Sequence, residues 1–365
     1  MQQLTQAEIE ERLLTYIRKS LSGQEIEYSQ PPVLYREGRR LRTYRFRLKN
    51  APKEYARPLV MRLYTEDELP VRPQFESILL NSIYEQKFPV PNVRLVESSH
   101  SYLNAPFIIM DECLGDALFD INSLTQKPYM QAARFLVSGV GSIARDMAAV
   151  MKRLHMLKVD KLHEKLKQLK FPVELLSLNG RLYQLYKRVQ SAKLTELEPG
   201  VIWLISHGPP ETIKPSLCHG QLYPNNVRKQ ENTFTGVINW SMDSILLGDP
   251  AYDVGRTSAA FKCFVPDVSQ TLRKLSQNVG HRFSRQFVQN YRKQRPVSED
   301  KIKYFEMLWC IDLATSAAES MDKKHHAFKN EFEEAKVDLY QSTNFAIEYF
   351  KNTTGVTVSL PLLKR

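Results

Sequence analysis

The chain contains few of the features that would assign it to a specialised class. Cysteine occurs four times in 365 residues, at widely spaced positions and without a CxxC pair. This spacing excludes a zinc knuckle or a disulfide framework and favours reduced thiols in a cytoplasmic setting. No apolar run approaches the length of a membrane span, and the first fourteen residues are charged without an apolar segment. We therefore expect neither a membrane span nor a secretory signal.

Negative charge is also in short supply, because 51 basic residues outnumber 40 acidic ones and give a formal net charge of +11. A positive charge permits binding to polyanions but says nothing about the fold. No nucleic-acid-binding motif occurs in a supporting structural context. We therefore expect a generally basic globular protein rather than a nucleic-acid-binding one, and its length is sufficient for two lobes with a sizeable core.

Local patterns predict several elements. Residues 4 to 22 are typical of an amphipathic helix, in which Thr5 and Glu8 form a capping box. Apolar and polar residues alternate from Leu41 to Lys49, which predicts a half-buried strand. The other predicted elements are a strand over Pro58–Tyr64, a helix over Gln74–Lys87, a buried strand at 108–110, and helices over Ser138–Leu157, much of 160–215, Ser284–Arg295, Ser298–Met321 and Phe328–Phe350.

The most informative stretch runs from Cys218 to Asp253. A polar loop begins with His219-Gly220-Gln221, a short apolar strand delivers Asn239 at its end, and a Gly/Pro turn then opens a helix. Polar groups at strand ends and in the adjoining loops are where catalytic sites are usually built. This stretch is therefore the candidate functional core.

The same stretch resembles the catalytic core of the aminoglycoside phosphotransferase-like family, a small-molecule branch of the protein-kinase-like fold. The family pattern reads HGD, four residues, N, then a strand ending in IDW, then GDPxYD. The chain departs from it at two positions, since the family's catalytic-loop Asp is Gln221 and its metal-binding Asp is Asn239. The matching residues are His219, Gly220, Asn226, Ile238, Trp240, Gly248, Asp249, Pro250, Tyr252 and Asp253.

The resemblance implies an α+β, two-lobed protein-kinase-like fold. A small antiparallel-sheet N-lobe would cover residues 1–110 and a larger, mainly helical C-lobe residues 116–365. Residues 105–115, APFIIMDECLG, are similar to the family's PFLVMExxxG, so the hinge would lie at 111–115. The backbone around Asp111, Glu112 and Cys113 would then meet a nucleotide base. Nothing in the local sequence would lower the pKa of the Cys113 thiol, so we expect no reactive cysteine there.

Phosphate binding is implied for two further groups of residues. Arg62 occupies the position of the kinase lysine that holds the nucleotide phosphates, and Glu76 is its candidate partner. The alternatives are a solvated strand arginine and a glutamate that compensates the helix dipole in a first turn. Arg39 and Arg40 follow the single glycine of a predicted hairpin, where kinase-like folds place a phosphate-covering loop. They either contact an anion or form a solvated hairpin tip, and the sequence leaves both open.

The catalytic positions decide the expected chemistry. Gln221 and His219 are the candidate catalytic-site residues that the resemblance implies. An amide has no useful basicity, so Gln221 cannot act as a general base. Asn226 remains a candidate metal ligand. Asn239 supplies an amide oxygen but no negative charge to Mg²⁺, which prefers carboxylates. Asp243 lies in the loop where a replacement ligand could reach, although loop aspartates are usually solvated or capping.

We therefore expect a pseudo-phosphotransferase that binds a nucleotide such as ATP, or another small anionic ligand, in an interlobe cleft, with Mg²⁺ binding weakened or absent. Two alternatives remain open. One is an active ATP-dependent small-molecule kinase that uses Asp243 or a substrate-assisted route, and the other is a non-catalytic interaction scaffold. The acceptor substrate cannot be inferred from the sequence.

Overall fold

The chain folds into two compact units. The computed structural model describes residues 4–37, 41–64, 71–119, 138–266, 270–321 and 338–361. The first unit comprises Met1–Gly115, Lys161–Phe171 and Arg228–Ile238, and the second Asp116–Asp160, Pro172–Val227 and Asn239–Arg365. The predicted hairpin tip with Arg39 and Arg40, and residues 328–337 of the last predicted helix, lie outside the described residues.

The first unit is built on a five-stranded antiparallel sheet with strand order β1-β2-β3-β5-β4. Its elements are α1 (Gln6–Leu21), β1 (Glu27–Glu37), β2 (Leu41–Lys49), β3 (Leu59–Tyr64), α2 (Arg72–Tyr84), β4 (Val93–Glu97) and β5 (Phe107–Asp111), with most of α4 (Asp160–Gln168) and the paired strands β8 (Val227–Gln230) and β9 (Thr233–Val237).

The start of α1 follows from local chemistry. The Thr5 side chain accepts from the backbone N–H of Glu8, and the Glu8 carboxylate accepts from the backbone N–H of Thr5 at 2.8 Å. This reciprocal pair satisfies two N–H groups that have no partner inside the helix. The predicted capping box is confirmed.

Alternation in β2 places one side of the sheet against α1. Tyr44, Phe46 and Leu48 are buried, whereas Arg45, Arg47 and Lys49 are exposed, as the period-two pattern predicted. Phe46 joins the hydrophobic core that also contains Leu13 of α1, Met61 of β3 and Phe107 of β5, all completely buried. Burial of side chains of this size contributes about 1.5–3 kcal/mol each.

The helix after β3 begins earlier than its pattern predicted. It starts at Arg72, with Pro73 in its first turn, where the missing proline N–H removes no helical hydrogen bond. Glu76 therefore lies beyond the first turn, and the alternative in which it only compensates the helix dipole there is wrong. The helix ends at Tyr84, and Lys87 has a left-handed backbone (φ +58°), so the predicted end at Lys87 is also wrong.

The second unit is mainly helical. Its elements are β6 (Asp116–Ala117), α3 (Val140–His155), α5 (Leu178–Ser191), α6 (Glu198–Ser206), β7 (Ser216–Cys218), β10 (Leu246–Gly248), α7 (Ala251–Cys263), α8 (Gln270–Gln294), α9 (Glu299–Met321) and α10 (Leu339–Thr354), with a 3₁₀ turn over Pro224–Asn226.

Helix α7 is the centre of this unit. Ten consecutive residues from its start, 251–260, are buried, because α8, α9 and α10 all pack against it. Gly255 permits the close approach of α9, since a Cβ at this position would lie 2.6 Å from the carbonyl oxygen of Ile302. Strands β7 and β10 pair antiparallel, with Cys218 opposite Leu246. They fix the two segments that carry the candidate catalytic loop and the loop after Asn239.

Candidate functional site

The candidate catalytic loop follows β7 and turns at Gly220. Gly220 has φ +78°, and a Cβ there would lie 2.0 Å from the carbonyl oxygen of Ser244, so only glycine fits. The backbone N–H groups of His219 and Gly220 donate to the Asp253 carboxylate at 2.8 and 2.6 Å. Asp253, in the first turn of α7, thus fixes the start of the loop through these two hydrogen bonds.

Asp253 is itself oriented by a buried histidine. His155, the last residue of α3, donates from Nε2 to Asp253 Oδ2 at 3.0 Å, and its Nδ1 lies 2.6 Å from the Tyr291 hydroxyl. Burial alone would raise the pKa of Asp253, but the hydrogen bonds from His155 and from the His219 backbone hold it below the ordinary value. The carboxylate is therefore ionised and structural.

His155, Cys218 and Asp253 form a buried group whose possible ligand atoms lie within 4.8 Å of one another. The chemistry does not favour a metal. The Asp253 oxygens already accept three hydrogen bonds, and burial raises the pKa of the Cys218 thiol well above its ordinary range. A protonated thiol is a poor metal ligand, and this one lies 3.5 Å from the Asp249 carbonyl oxygen.

The two amides that replace the family's aspartates lie in contact. Asn239 Nδ2 donates to Gln221 Oε1 at 3.2 Å, although the residues are 18 positions apart. Asn239 adopts a left-handed backbone conformation (φ +66°), which asparagine tolerates better than most residues. Both side chains are only partly buried. The structure therefore brings together the two positions at which the chain departs from the family pattern.

Asn226 joins the same group. It is buried at the end of the 3₁₀ turn, and its Nδ2 donates to the carbonyl oxygen of Gln221 at 2.8 Å. Asp243, by contrast, is exposed on the loop after Asn239, where its backbone N–H contacts Ser241 Oγ at 3.3 Å. Three amide side chains thus meet at the catalytic loop.

His219 points inward rather than toward solvent. Its side chain is completely buried, its ring centroid lies 4.4 Å from that of Trp240, and its Nδ1 accepts from the Gln221 backbone N–H at 3.2 Å. These contacts position the backbone of Gln221. A role for His219 in orienting the loop follows directly from this arrangement.

The sequence did not predict the helical side chains that donate hydrogen bonds to the backbone of this loop and of the loop after Asn239. Arg256 donates to the Gly220 carbonyl oxygen at 2.6 Å, and Thr257 donates to that of Leu222 at 2.9 Å. Arg181 in α5 donates to the carbonyl oxygens of Met242 and Ile245. Arg256 lies three positions after Asp253, on the same side of α7, so helical spacing could have identified it. No local signal marks Arg181.

In the first unit, Arg62 and Glu76 form the predicted ion pair. The Arg62 guanidinium contacts Glu76 Oε1, and the Tyr64 hydroxyl donates to Oε2 at 2.5 Å. Burial, followed by the neighbouring Glu76 charge, raises the pKa of Tyr64 well above its ordinary value. Tyr64 therefore stays protonated as a donor. The alternative of a solvated strand arginine is wrong, because the Arg62 side chain is only 11% exposed.

The predicted hinge residues are engaged within the first unit. The Asp111 carboxylate accepts two parallel hydrogen bonds from Arg94 at 2.8 and 2.7 Å, and the Glu112 carboxylate contacts Arg45 at 2.5 Å. The backbone N–H groups of both acids donate to carbonyl oxygens, those of Asn92 and Pro58, at 3.0 Å. The carboxylates and the backbone N–H groups of Asp111 and Glu112 are therefore already engaged in hydrogen bonds or ion pairs.

Cys113 packs tightly against β9. A Cβ at Gly236 would lie 2.4 Å from both the Cβ and the Sγ of Cys113, so the glycine makes room for this side chain. Burial raises the pKa of the thiol to about 12. A thiol with this pKa is unreactive near neutral pH, in agreement with the expectation from sequence.

These features define a kinase-like phosphotransferase fold, and comparison with known proteins identifies the family. A sequence profile of the phosphotransferase enzyme family (APH) matches residues 33–287. The chain belongs to this family. No curated protein sequence matches the chain.

Solved structures show the same fold at low sequence identity. A protein of Ralstonia eutropha JMP134, assigned by name to the aminoglycoside phosphotransferases, is 14% identical with a TM-score of 0.58, over 94% of this chain and 98% of that chain. Aminoglycoside phosphotransferase APH(4)-Ia is 12% identical with a TM-score of 0.55, over 94% and 99%. Macrolide 2'-phosphotransferase type I is 14% identical with a TM-score of 0.52, over 92% and 98%.

These similarities confirm the predicted two-lobed, kinase-like α+β fold, with a small antiparallel-sheet part and a larger helical part. Among the helices that the structure describes, none combines the length and the apolar character needed to cross a bilayer.

Proposed function

We propose that the chain is a pseudo-phosphotransferase, which binds a nucleotide or another anionic ligand and transfers a phosphoryl group slowly or not at all. The observation that carries this proposal is the hydrogen bond between Asn239 and Gln221. Two carboxylates at these positions would both be acceptors and would repel each other unless a cation or a proton lay between them. Two amides supply a donor and an acceptor without charge. The pair is therefore complete without a metal ion.

The chemical consequences follow from the same two side chains. Loss of a general base at position 221 costs roughly two to four powers of ten in rate. Loss of the carboxylate at position 239 weakens Mg²⁺ binding, because Mg²⁺ is bound mainly through carboxylates and substrate phosphates. Asn226 and Asn239 would be the remaining metal ligands, and both are neutral. A bound ATP would therefore depend on cationic side chains more than on a metal ion.

Nucleotide binding is supported by the family. A structure of an APH(4)-Ia mutant, 14% identical to this chain with a TM-score of 0.55, is a ternary complex with AMP-PNP and hygromycin B. In this chain Arg62, held by Glu76, is the proposed phosphate ligand, with Arg39 and Arg40 as further cationic candidates. The backbone of the 111–113 segment is the proposed contact to the base.

Calorimetric titration with ATP, with and without Mg²⁺, tests the proposal on the natural protein and on the Gln221→Asp/Asn239→Asp variant. We expect the natural protein to bind ATP equally well under both conditions and to release little or no ADP. The double variant should bind ATP more tightly when Mg²⁺ is present. Asp243→Asn is the matched control, since it removes a nearby exposed carboxylate.

Other outcomes would select the alternatives. Binding by the natural protein only with Mg²⁺, together with ADP release that Asp243→Asn abolishes, would favour an active kinase in which Asp243 replaces the missing ligand. Absence of ATP binding in both proteins would favour a scaffold without a nucleotide site.

We also propose that the protein is cytoplasmic, and that its N-lobe ends at residue 110 and its C-lobe begins at residue 116. The proposed cytoplasmic location rests on the wide spacing of the four cysteines in the sequence.

A further inference from the structure

An ionic chain in the helical unit connects the catalytic loop to the protein surface. Arg256, whose Nε contacts the Gly220 carbonyl oxygen, uses its Nη2 to contact Asp312 Oδ2 at 2.9 Å. Asp312 Oδ1 accepts from Arg188 Nη1 at 2.8 Å. Arg188 then forms two parallel hydrogen bonds with Glu319, at 3.1 and 3.0 Å. The two carboxylates of α9 are thereby engaged by two guanidinium groups.

The outer part of this chain is accessible to solvent. The side chains of Arg188 and Asp312 are 35% and 29% exposed, and that of Glu319 is 17% exposed, whereas Arg256 is 7% exposed. Residues 312, 316 and 319 are three or four positions apart and therefore lie on one face of α9. Arg188 donates hydrogen bonds to all three. The carboxylate nearest the catalytic loop is that of Asp312, which one guanidinium group, Arg256, joins to the Gly220 carbonyl oxygen.

Arg188 is well suited to keep them paired. It makes four hydrogen bonds on α9, including one to the Ser316 hydroxyl at 2.8 Å, and so uses four of the five N–H groups of the guanidinium. The planar fork matches carboxylate geometry, whereas a lysine or a ligand amine contributes only a point charge. An amine would have to displace this fork before it could bind either carboxylate.

Two further features near the loop reduce its attraction for a cation. Gln221 and Asn239 carry no charge where the family pattern has two carboxylates. Arg181 places a further buried guanidinium under the loop that follows Asn239. The negative charge of the exposed Asp243 interacts favourably with this same Arg181 guanidinium.

We propose that Arg188 is a specificity-determining residue that excludes polycationic ligands such as amino sugars, so that the ligand of the catalytic loop is neutral or anionic. This inference rests on one part of the proposed function, namely that the ligand binds at the catalytic loop.

The test is calorimetric titration at low ionic strength with hygromycin B and with spermine. We expect no saturable binding of either compound to the natural protein. Arg188→Gln, which leaves Asp312 and Glu319 without this partner, should gain saturable binding, with an affinity at least about tenfold above the weakest that the titration of the natural protein would detect. Added salt should weaken this binding. The triple variant Arg188→Gln/Asp312→Asn/Glu319→Gln should lose that binding again.

Arg292→Gln is the matched control. It breaks an exposed ion pair with Glu299 in the same unit and should bind polycations no better than the natural protein. Arg188→Lys provides a second variant if Arg188→Gln does not fold, and it should show a smaller gain because one charge is retained. Saturable binding of hygromycin B to the natural protein would overturn the inference, as would equal affinity in the natural protein and Arg188→Gln.

Titrations of the natural protein with ATP, inorganic phosphate and citrate separate the two ideas. Failure of ATP, phosphate and citrate all to bind would refute the proposed function, whereas the polycation measurements need no anionic ligand and would still decide the role of Arg188. Binding of phosphate but not citrate would assign the anion preference to phosphoryl groups, and the reverse result to carboxylates.

Discussion

Asn239 donates a hydrogen bond to Gln221 at the two positions where the family pattern has aspartates. Each side chain satisfies part of the other's hydrogen-bonding capacity, and neither brings a charge. The two amides therefore satisfy each other without a charge, whereas a carboxylate at either position would attract a nearby cation.

Restoring both carboxylates should make the fold of the helical unit dependent on metal or pH. In Gln221→Asp/Asn239→Asp the hydrogen bond is lost and two carboxylates face each other. We expect a loss of about 1–3 kcal/mol in the free energy of unfolding at pH 8 without metal. The loss should shrink at pH 5, where one carboxyl group can take up a proton, or on addition of Mg²⁺.

Urea unfolding with and without Mg²⁺ measures this effect. Gln221→Glu is the control, because its carboxylate can still accept from Asn239 and no second negative charge is present. Equal stability of the double variant and the natural protein without metal at pH 8 would contradict the assigned contact.

Gly220→Ala should destabilise the helical unit strongly. The substitution adds a Cβ 2.0 Å from a backbone oxygen at a residue with φ +78°. The left-handed conformation alone costs about 1–2 kcal/mol, and the clash adds to it. Gly355→Ala is a close control, because Gly355 has φ +76° and open space around its Cβ, so only the conformational cost applies. The melting temperature of Gly220→Ala should be well below that of Gly355→Ala in thermal unfolding, and similar melting temperatures would count against the described turn.

Asp253→Asn should cost about 3–5 kcal/mol at pH 7, because it removes a buried charge that accepts from His155 and from two loop N–H groups. Asp253 has a pKa below its ordinary value of 3.8 in the folded protein, so its contribution is fully present above that value. It is lost as the pH falls through the lower folded pKa.

The difference in unfolding free energy between the natural protein and Asp253→Asn should therefore be constant from pH 7 to about pH 5 and shrink at more acidic pH. Asp116→Asn, at an exposed carboxylate of the same unit, should cost less than about 0.5 kcal/mol throughout. A difference that grows on acidification would exclude this role for Asp253.

Tyr64 and Glu76 should show energetic coupling in the sheet unit. Glu76→Gln removes the carboxylate that pairs with the mostly buried Arg62 and should cost about 3 kcal/mol. Tyr64→Phe removes a buried hydrogen bond to a charged group and should cost about 1.5–3 kcal/mol. Because both contacts involve one carboxylate, the double variant should cost less than the sum of the two single variants.

A double-mutant cycle from urea unfolding measures the coupling. The exposed pair Lys49–Glu27, in the same unit, is the control, and Glu27→Gln should cost less than about 1 kcal/mol. Strict additivity at Tyr64 and Glu76 would refute the shared contact.

Features that depend on near neighbours in the chain were predictable. The Thr5–Glu8 capping box involves residues three positions apart, and the alternation from Leu41 to Lys49 follows from strand geometry alone. The start of α2 was harder to predict, because no side-chain cap marks it and the proline at its second position tolerates an earlier start. The partner of Arg62 came from the family resemblance, whereas Tyr64 as a second partner of Glu76 was not predicted.

The sequence by itself determined the family, the kinase-like fold and the identity of the two amides, since these follow from ordered motifs. Tertiary structure alone decided that Gln221 and Asn239 touch, that Arg256 and His219 orient the catalytic loop, and that Arg188 occupies the carboxylates of α9. The physical reason is the separation along the chain between the residues that interact. Caps and strand alternation arise from interactions between residues a few positions apart, whereas these hydrogen bonds and ion pairs join segments that become neighbours only when the helices pack.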